Sequence, residues 1–363
     1  MPAFTGTLNS NEIFAALYNM IISQQVFADN LVHNNNLVDK FKVDGTLYGD
    51  TKLYYATDVL KSAAWGNDAE ATNLLTIYRP KAPSCQAIKI NNFRQICLTV
   101  DNYLSKRAWS TEGAFSNFTS VMLGWMRETR ALYENVLFNV YLGTTKATTG
   151  DQDVTIGVTT AVGATTGIEK ARLTGLTIAQ AVANLFVKLK DYSRSYNDYE
   201  YMRSYNQDDF YVIWNADYLN EIIKLDLPTV FHKDVIDFQN SLPSRFFGTV
   251  NDATKTTADA DTHSLIEQDV TYSGTTYHLF PGDIVPTGAT IAASSAVTVP
   301  SYQLDNTIIA KVVHKNGIPF MSAFEVGTSF FNPKSLTETH YLTWGYSTLE
   351  YLKNYPFITL IKA

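Results

Sequence analysis

The side chains able to do chemistry are scattered, and none of their spacings completes a reactive set. The six histidines stand singly, with no H-E-x-x-H pair to hold zinc and no C-x-x-C. No glycine precedes a lysine anywhere, which excludes a P-loop, because its lysine must follow the last glycine of the phosphate cradle. Gly327-Thr328-Ser329-Phe330-Phe331 begins like a nucleophile elbow but ends in Phe where the tight strand-to-helix turn needs a second glycine. Asp151-Gln152-Asp153 and Asp259-Ala260-Asp261 open like calcium loops, yet both lack the glycine and the distal glutamate that complete the ligand shell. They read as solvated loop carboxylates. Asn117-Phe118-Thr119 fits a glycosylation sequon but falls inside a predicted helix. The expectation is no catalytic residue, no metal and no cofactor.

What remains is charge. Arg79, Lys81, Lys89, Arg94, Lys106 and Arg107 face a single acid, Asp101, over the run from Arg79 to Ser110. Residues 1–50 carry Glu12, Asp29, Asp39, Asp44 and Asp50 against Lys40 and Lys42. One reading is a solvated strand face. The other is a pair of complementary patches that meet between subunits, with Arg79, Lys89, Arg94, Lys106 and Arg107 as the contacts, giving orientation more than affinity.

Composition favours the second kind of protein. Charged residues make up 17% of the chain, against about 25% in an ordinary soluble domain. Neighbouring copies would cover the surface that charge does not. The 22 tyrosines within a 13% aromatic content point the same way, because Tyr is amphipathic and enriched at interfaces. Net charge is -7, and no Lys or Arg occurs before Lys40. The N-terminus therefore carries no basic arm for phosphate and no basic n-region of a signal peptide. No apolar run reaches membrane-spanning length. Cys85 and Cys97 are too few for a disulfide framework and are expected as unpaired, partly buried thiols of a chain made in reducing cytoplasm.

The elements that would position these residues follow from periodicity. An apolar stretch over Ile13 to Leu31, then His33-Asn34-Asn35-Asn36, predicts a short helix and a mobile polar segment. Gly45 to Tyr55 predicts a turn into a strand. Residues 56–84 read as irregular. Ile96, Leu98 and Val100 alternate with Gln95, Cys97 and Thr99, so Ile88 to Val100 predicts a half-buried strand. Two strands with a long irregular stretch between them suggest a two-stranded projection. From Gly113 to Leu142 no proline interrupts Phe115, Phe118, Met122, Trp125, Leu132, Val136 and Val140, with Ser110 and Thr111 as N-caps and Gly143 as C-cap. That predicts one helix of about 45 Å, with Met122 and Trp125 on its buried stripe.

Residues 144–167 read as an exposed Thr/Ala/Gly/Val loop or hairpin. Thr177 and Gln180 form a capping box for a second helix with Ile178, Val182, Leu185 and Leu189 on its apolar face. Asp209 to Trp214 predicts a buried strand, and Asn215 caps a helix over Ala216 to Lys224. Residues 249–262 and 287–299 read as loops flanking a hairpin turned at Ser273-Gly274. Ile308 to Val313 and Ile318 to Met321 are expected to pair through Asn316-Gly317, a strong hairpin signal. No internal repeat occurs.

This order of elements resembles the tailed-bacteriophage major capsid proteins, whose fold is named after coliphage HK-ninety-seven and is shared by herpesvirus floor domains and encapsulins. The resemblance implies an α+β chain: an N-terminal arm (1–44), an E-loop (45–104), a peripheral domain with spine helix (105–170), an axial domain (171–307) and a C-terminal return (308–363). Gly49-Asp50-Thr51-Lys52 would enter the E-loop and Ile88 to Val100 leave it. Gly113 to Leu142 would be the spine. Val212-Ile213-Trp214-Asn215-Ala216-Asp217-Tyr218-Leu219 is similar to a strand–Asn–helix passage of phage capsid subunits. Ile309 to Met321 would return the chain to the peripheral domain. The sequence departs in having no N-terminal coiled-coil segment, and no residue identifies the Lys–Asn cross-link of some relatives. The resemblance implies hexamers and pentamers of an icosahedral shell enclosing double-stranded DNA, assembled in a host cytoplasm with scaffolding, portal and head-decoration proteins, and no membrane. Two alternatives remain at this level: an encapsulin-type compartment, and a secreted carbohydrate-binding or hydrolytic domain.

Overall fold

The run Ile308-Ile309-Ala310-Lys311-Val312-Val313-His314 is buried at every position, as a strand covered on both faces must be. It forms the middle of the computed structural model, which describes residues 37–44, 51–62, 77, 79–101, 112–163, 166–223, 240–252, 254–291, 293–294, 296–297 and 299–363. The helix expected over 13–31, the 45–50 turn, Lys106, Arg107 and the caps Ser110 and Thr111 lie outside the described residues.

In chain order the elements begin with α1 (Leu37–Phe41), β1 (Lys42–Asp44), β2 (Thr51–Ala56), β3 (Ser84–Asp101) and α2 (Glu112–Thr144). Next come β4 (Asp153–Ile156), α3 (Val158–Val162), α4 (Gly167–Lys190), β5 (Phe210–Asn215), α5 (Ala216–Ile223) and β6 (Ser241–Leu242). An insertion follows, made of β7 (Gly248–Val250), β8 (Thr262–Ser264), β9 (Gln268–Tyr272), β10 (Thr275–Leu279), β11 (Ala293–Ser294), β12 (Ala296–Val297) and β13 (Ser301–Leu304). The chain closes with β14 (Ile308–His314), β15 (Phe320–Asn332), β16 (Thr337–Ser347) and β17 (Phe357–Lys362).

Two five-stranded sheets organise this α+β fold. The first has the order β4-β17-β14-β5-β6, with β14 antiparallel to both neighbours. Val212, Trp214, Val312, Ile358 and Leu360 face one side, where Ile178, Val182, Leu185 and Leu189 of α4 cover them. Ile213, Val313 and Phe357 face the other, toward Tyr133, Leu137 and Phe138 of α2. Period-2 strands between two helical layers explain why the sequence shows apolar runs here. The second sheet has the order β1-β15-β16-β3-β2 and packs Phe320, Trp344 and Tyr346 against the same helix. The insertion keeps its own small core of Val270, Leu279, Val285, Ile291 and Val299.

Several expectations hold. The long helix runs over 33 residues, the apolar face of α4 is as read, and Asn215 caps α5 by accepting the Asp217 N–H at 3.2 Å. Ser273 (φ 51°) and Gly274 (φ 81°) turn the β9/β10 hairpin, the left-handed pair that such a turn needs.

Others are corrected. Asn316-Gly317 does not close a hairpin: neither residue is among those with positive φ, and β14 and β15 enter different sheets. The buried Ile318 draws the chain across. Residues 153–162, within the stretch read as an exposed loop or hairpin, are a strand and a short helix instead. Val154 and Ile156 of β4 and Val158 and Val162 of α3 join the core, because β4 pairs in parallel with β17. Helix α4 begins ahead of the expected capping box, and the Thr177 hydroxyl instead donates to the Leu173 carbonyl at 2.7 Å within it.

Gly143 is helical, and its role is close approach rather than capping: a Cβ there would lie 1.9 Å from the Phe246 carbonyl oxygen. Met122 and Val140 are buried as read, but between them the buried stripe of α2 falls one position later, through Met126, Tyr133 and Leu137. Trp125 is 43% exposed. Adjacent apolar pairs such as Leu132-Tyr133 make the helix apolar over a wide arc, so spacing alone does not choose the face. Trp125→Ala should therefore shift the unfolding free energy of the unassembled subunit by no more than about 0.5 kcal/mol, measured as the urea midpoint. A loss of several kcal/mol would place Trp125 back in the core.

Candidate interaction surfaces

The β2/β3 hairpin pairs Thr51 with Lys89 and Ala56 with Ser84. Its alternation leaves Leu53 and Tyr55 turned outward at 52% and 65% exposure, followed by the exposed Val59, Leu60 and Ile77. Polar contacts fasten the end of the strand pair at which the connecting segment leaves. Asp58 accepts from Arg194 at 2.6 Å and from the Met202 N–H at 3.0 Å. Those two hydrogen bonds, the Arg194 one first, hold its carboxyl down to about 2. Arg203 donates to the Thr57 carbonyl at 2.5 Å and to Asn354 at 3.1 Å. The Ser84 and Tyr201 hydroxyls lie 2.6 Å apart. Gln86 bridges the Tyr351 carbonyl and the Lys353 N–H at 2.9 and 3.0 Å. Nothing in the spacing of Asp58, Arg194 and Arg203 announces these contacts, which span the chain.

Among the described residues the basic run is not gathered into one patch. Arg79, Lys81 and Lys89 are exposed, and the Lys81 ammonium stands 5.8 Å over the Tyr201 ring. Arg94 is half-buried on the opposite face of β3 from the outward positions. Its guanidinium pairs with Glu267 at 2.9 Å and stacks 4.7 Å over the Tyr133 ring. It spends its charge inside its own chain. Cys85 and Cys97 are unpaired, as expected, but exposed rather than partly buried, because both occupy outward positions.

Beyond the hairpin, strand register brings together a second surface. Phe93, Gln95, Cys97 and Thr99 of β3 lie beside Thr339, Tyr341 and Thr343 of β16, and these beside Val326, Thr328 and Phe330 of β15. None of these residues is charged. Phe93, Val326 and Phe330 are 47%, 42% and 62% exposed. Gln95 donates to Thr343 at 2.9 Å, and the Thr99 and Thr339 hydroxyls lie 3.1 Å apart. With polar groups already partnered to each other and no ion to desolvate, covering this face costs little. The sequence does not announce it: Ile318 to Met321 alone reads as a strand here, and no periodicity marks β16.

On the other side of the same strands, a groove of about 540 Å³ runs between α2 and β15, lined by Lys42, Arg127, Arg130, Glu134, Glu325 and Leu342. Arg130 bridges Glu134 at 3.1 Å and Glu325, and Lys42 stands 3.7 Å from Glu134. This is an ion-paired seam between helix and sheet, with three cations against two carboxylates. Among the described residues no cluster of His, Cys, Asp and Glu could hold a metal ion, and no helix is long and apolar enough to cross a membrane.

Comparison with known proteins agrees with a surface-rich subunit. Residues 5–360 match the family model described as Phi29-like phage major capsid protein. A chain in the capsid structure of Staphylococcus phage Andhra superposes with a TM-score of 0.61 at 13% identity, over 91% of this chain and 84% of that one. A chain in the structure of head fiber and inner core protein gp22 of native bacteriophage P68 gives 0.61 at 13% identity, over 93% and 87%. At these identities the superpositions speak for the fold. No curated protein sequence matches the chain.

Proposed function

Because the chain belongs to the Phi29-like phage major capsid protein family, and so is the major capsid protein of a phage head shell, we propose how its copies meet. They associate as hexamers and pentamers of an icosahedral shell around double-stranded DNA, with the β2/β3 hairpin and the uncharged face of β3, β16 and β15 as the principal contacts. The observation that carries this is the outward Leu53 and Tyr55 of the hairpin together with a three-stranded face that bears no charged residue, in a chain whose charged content is 17%. The encapsulin-type and carbohydrate-active alternatives give way to the family match. The role is structural, with no reaction of its own.

The subunit is built of an arm (1–44), an E-loop (45–104), a peripheral domain (105–170 and 308–363) and an axial domain (171–307). Arg79 and Lys89, with Lys106 and Arg107, meet acidic surface on an adjacent subunit. Arg94 supports them from within by fixing β3 on α2. Assembly takes place in the host cytoplasm, to which the free exposed thiols of Cys85 and Cys97 are suited. Scaffolding, portal and decoration proteins are the partners that a head admitting DNA would need.

Charge reversal tests the contacts. Exposed ion pairs contribute about 0–1 kcal/mol each and are screened over roughly 8 Å at physiological salt. Repeated at every subunit junction, they set rate and register. Lys89→Glu, followed by light scattering at low ionic strength, should slow assembly several-fold, and added salt should shrink its difference from wild type. Equal assembly rates at low ionic strength would show that Lys89 is a solvated strand residue only.

A further inference from the structure

The insertion between β7 and β13 carries a charge row that the shell reading does not use. His278 on β10 faces its cross-strand partner Asp269 on β9, with Nδ1 2.6 Å from Oδ1. Its other ring nitrogen, Nε2, stands 3.1 Å from Oε1 of Glu267. Carboxylates only accept, so both nitrogens must donate. A neutral imidazole has one N–H, and only the imidazolium has two. The arrangement is complete only when His278 carries its second proton. Consistent with this, the Asp269 hydrogen bond, opposed by burial and reinforced by the Glu267 charge, raises the imidazole above its ordinary value.

Glu267 also has a second cation. Its Oε2 lies 2.9 Å from Arg94 Nη1, and the Arg94 guanidinium stacks 4.7 Å over Tyr133 of α2. The Tyr133 hydroxyl lies 2.8 Å from that of Tyr346 on β16. A continuous row, Asp269–His278–Glu267–Arg94–Tyr133, thus runs from the insertion across β3 into the long helix. The charged groups facing the imidazole are Asp269 and Glu267, with Arg94 beyond Glu267. The Phe280 ring stands edge-on at 5.3 Å.

We propose that His278 is a proton-operated lock that holds the β9/β10 hairpin, and through Glu267 the insertion, against the β3–α2 unit. With the proton on, charges alternate along the row and Glu267 is held by a cation on each side. With it off, one ring nitrogen turns a lone pair toward a carboxylate oxygen at hydrogen-bond distance. Asp269 and Glu267 then lose their shared counter-charge, Glu267 is left to Arg94 alone, and the hairpin side loosens. The folded value is raised, so the stabilisation is fully present below the ordinary imidazole range and is lost as pH rises through the raised value. The lock follows from contacts within one subunit and does not depend on which surfaces meet in the shell.

Hydrogen–deuterium exchange of the full chain, corrected for intrinsic pH dependence, reads the lock directly at the hairpin amides of residues 268–279. In wild type, their protection should fall roughly two- to fivefold across the titration of His278, the equivalent of an exposed ion pair. His278→Gln should show the lower protection at every pH. Its side chain is 54% exposed, so the substitution leaves the core intact. Glu267→Gln should reduce the pH response with His278 still present, leaving the part that the cross-strand Asp269 pair supplies. A flat wild-type profile, or an unchanged pH response in His278→Gln, overturns the proposal.

Discussion

Gly143→Ala is expected to destabilise the subunit by about 3 kcal/mol, at a helical position where alanine ordinarily stabilises. In an exposed helix interior, replacing glycine by alanine gains roughly 1 kcal/mol, because alanine loses less backbone freedom on folding. At Gly143 the new methyl would lie 1.9 Å from the Phe246 carbonyl oxygen and 2.6 Å from its carbon. Both are backbone atoms, so no rotamer change relieves the overlap. Helix α2 and the turn at Ser244–Phe246 must separate, opening the core that Phe138, Phe246 and Phe247 share. Overpacking of this kind costs about 1–3 kcal/mol and occasionally more, and it offsets the propensity gain. Gly124 in the same helix is the control, since a Cβ there meets nothing within 4 Å. Urea unfolding should show Gly124→Ala at or above the wild-type midpoint and Gly143→Ala well below it. Equal midpoints for the two would mean that α2 does not approach that turn as described.

Lys311 supplies the second large effect. It sits in the central strand with no exposed surface, donating to the Thr145 carbonyl at 2.8 Å and the Thr359 hydroxyl at 2.9 Å. Burial away from water disfavours its charge, and nearby Lys146 adds to this against the opposing pull of Asp153 and Asp305, bringing the amine down to about 7. The unfolded chain keeps the ordinary value of 10.5. Between those limits the unfolded state holds a proton that the folded state lacks, so stability rises with pH from about 7 to 10.5. The full span is on the order of 5 kcal/mol. Lys311→Met keeps the volume and removes the charge. It should flatten this slope and, at pH 7, gain about 1–4 kcal/mol. An unchanged slope in the variant would assign the pH dependence to other groups.

How much of this was legible in the sequence depends on how local each element is. The passage from β5 through Asn215 into α5 was readable because its buried run, cap and helix are adjacent in the chain. So was the length of α2, which no proline interrupts. Strand β4 was not, since residues 153–156 become a strand only by pairing with β17 at the far end of the chain. The same holds for β15 and β16, where Phe330, Phe331 and Thr337 show no strict alternation and the Asn316-Gly317 signal points to the wrong partner. Charge was legible as composition and misleading as geometry: Arg94 belongs to the basic run by sequence, yet Tyr133 and Glu267 hold it within the subunit. The uncharged face shows only once register aligns Gln95 with Thr343 and Thr99 with Thr339.

Copies of this chain build a closed shell. Electron microscopy of the purified protein, across a range of protein and salt concentrations, tests it most directly. Closed icosahedral particles are expected, or capsomers where closure is incomplete, with little free monomer at high concentration. A monodisperse monomer by light scattering at high concentration, with no particles under any assembly condition, would contradict it.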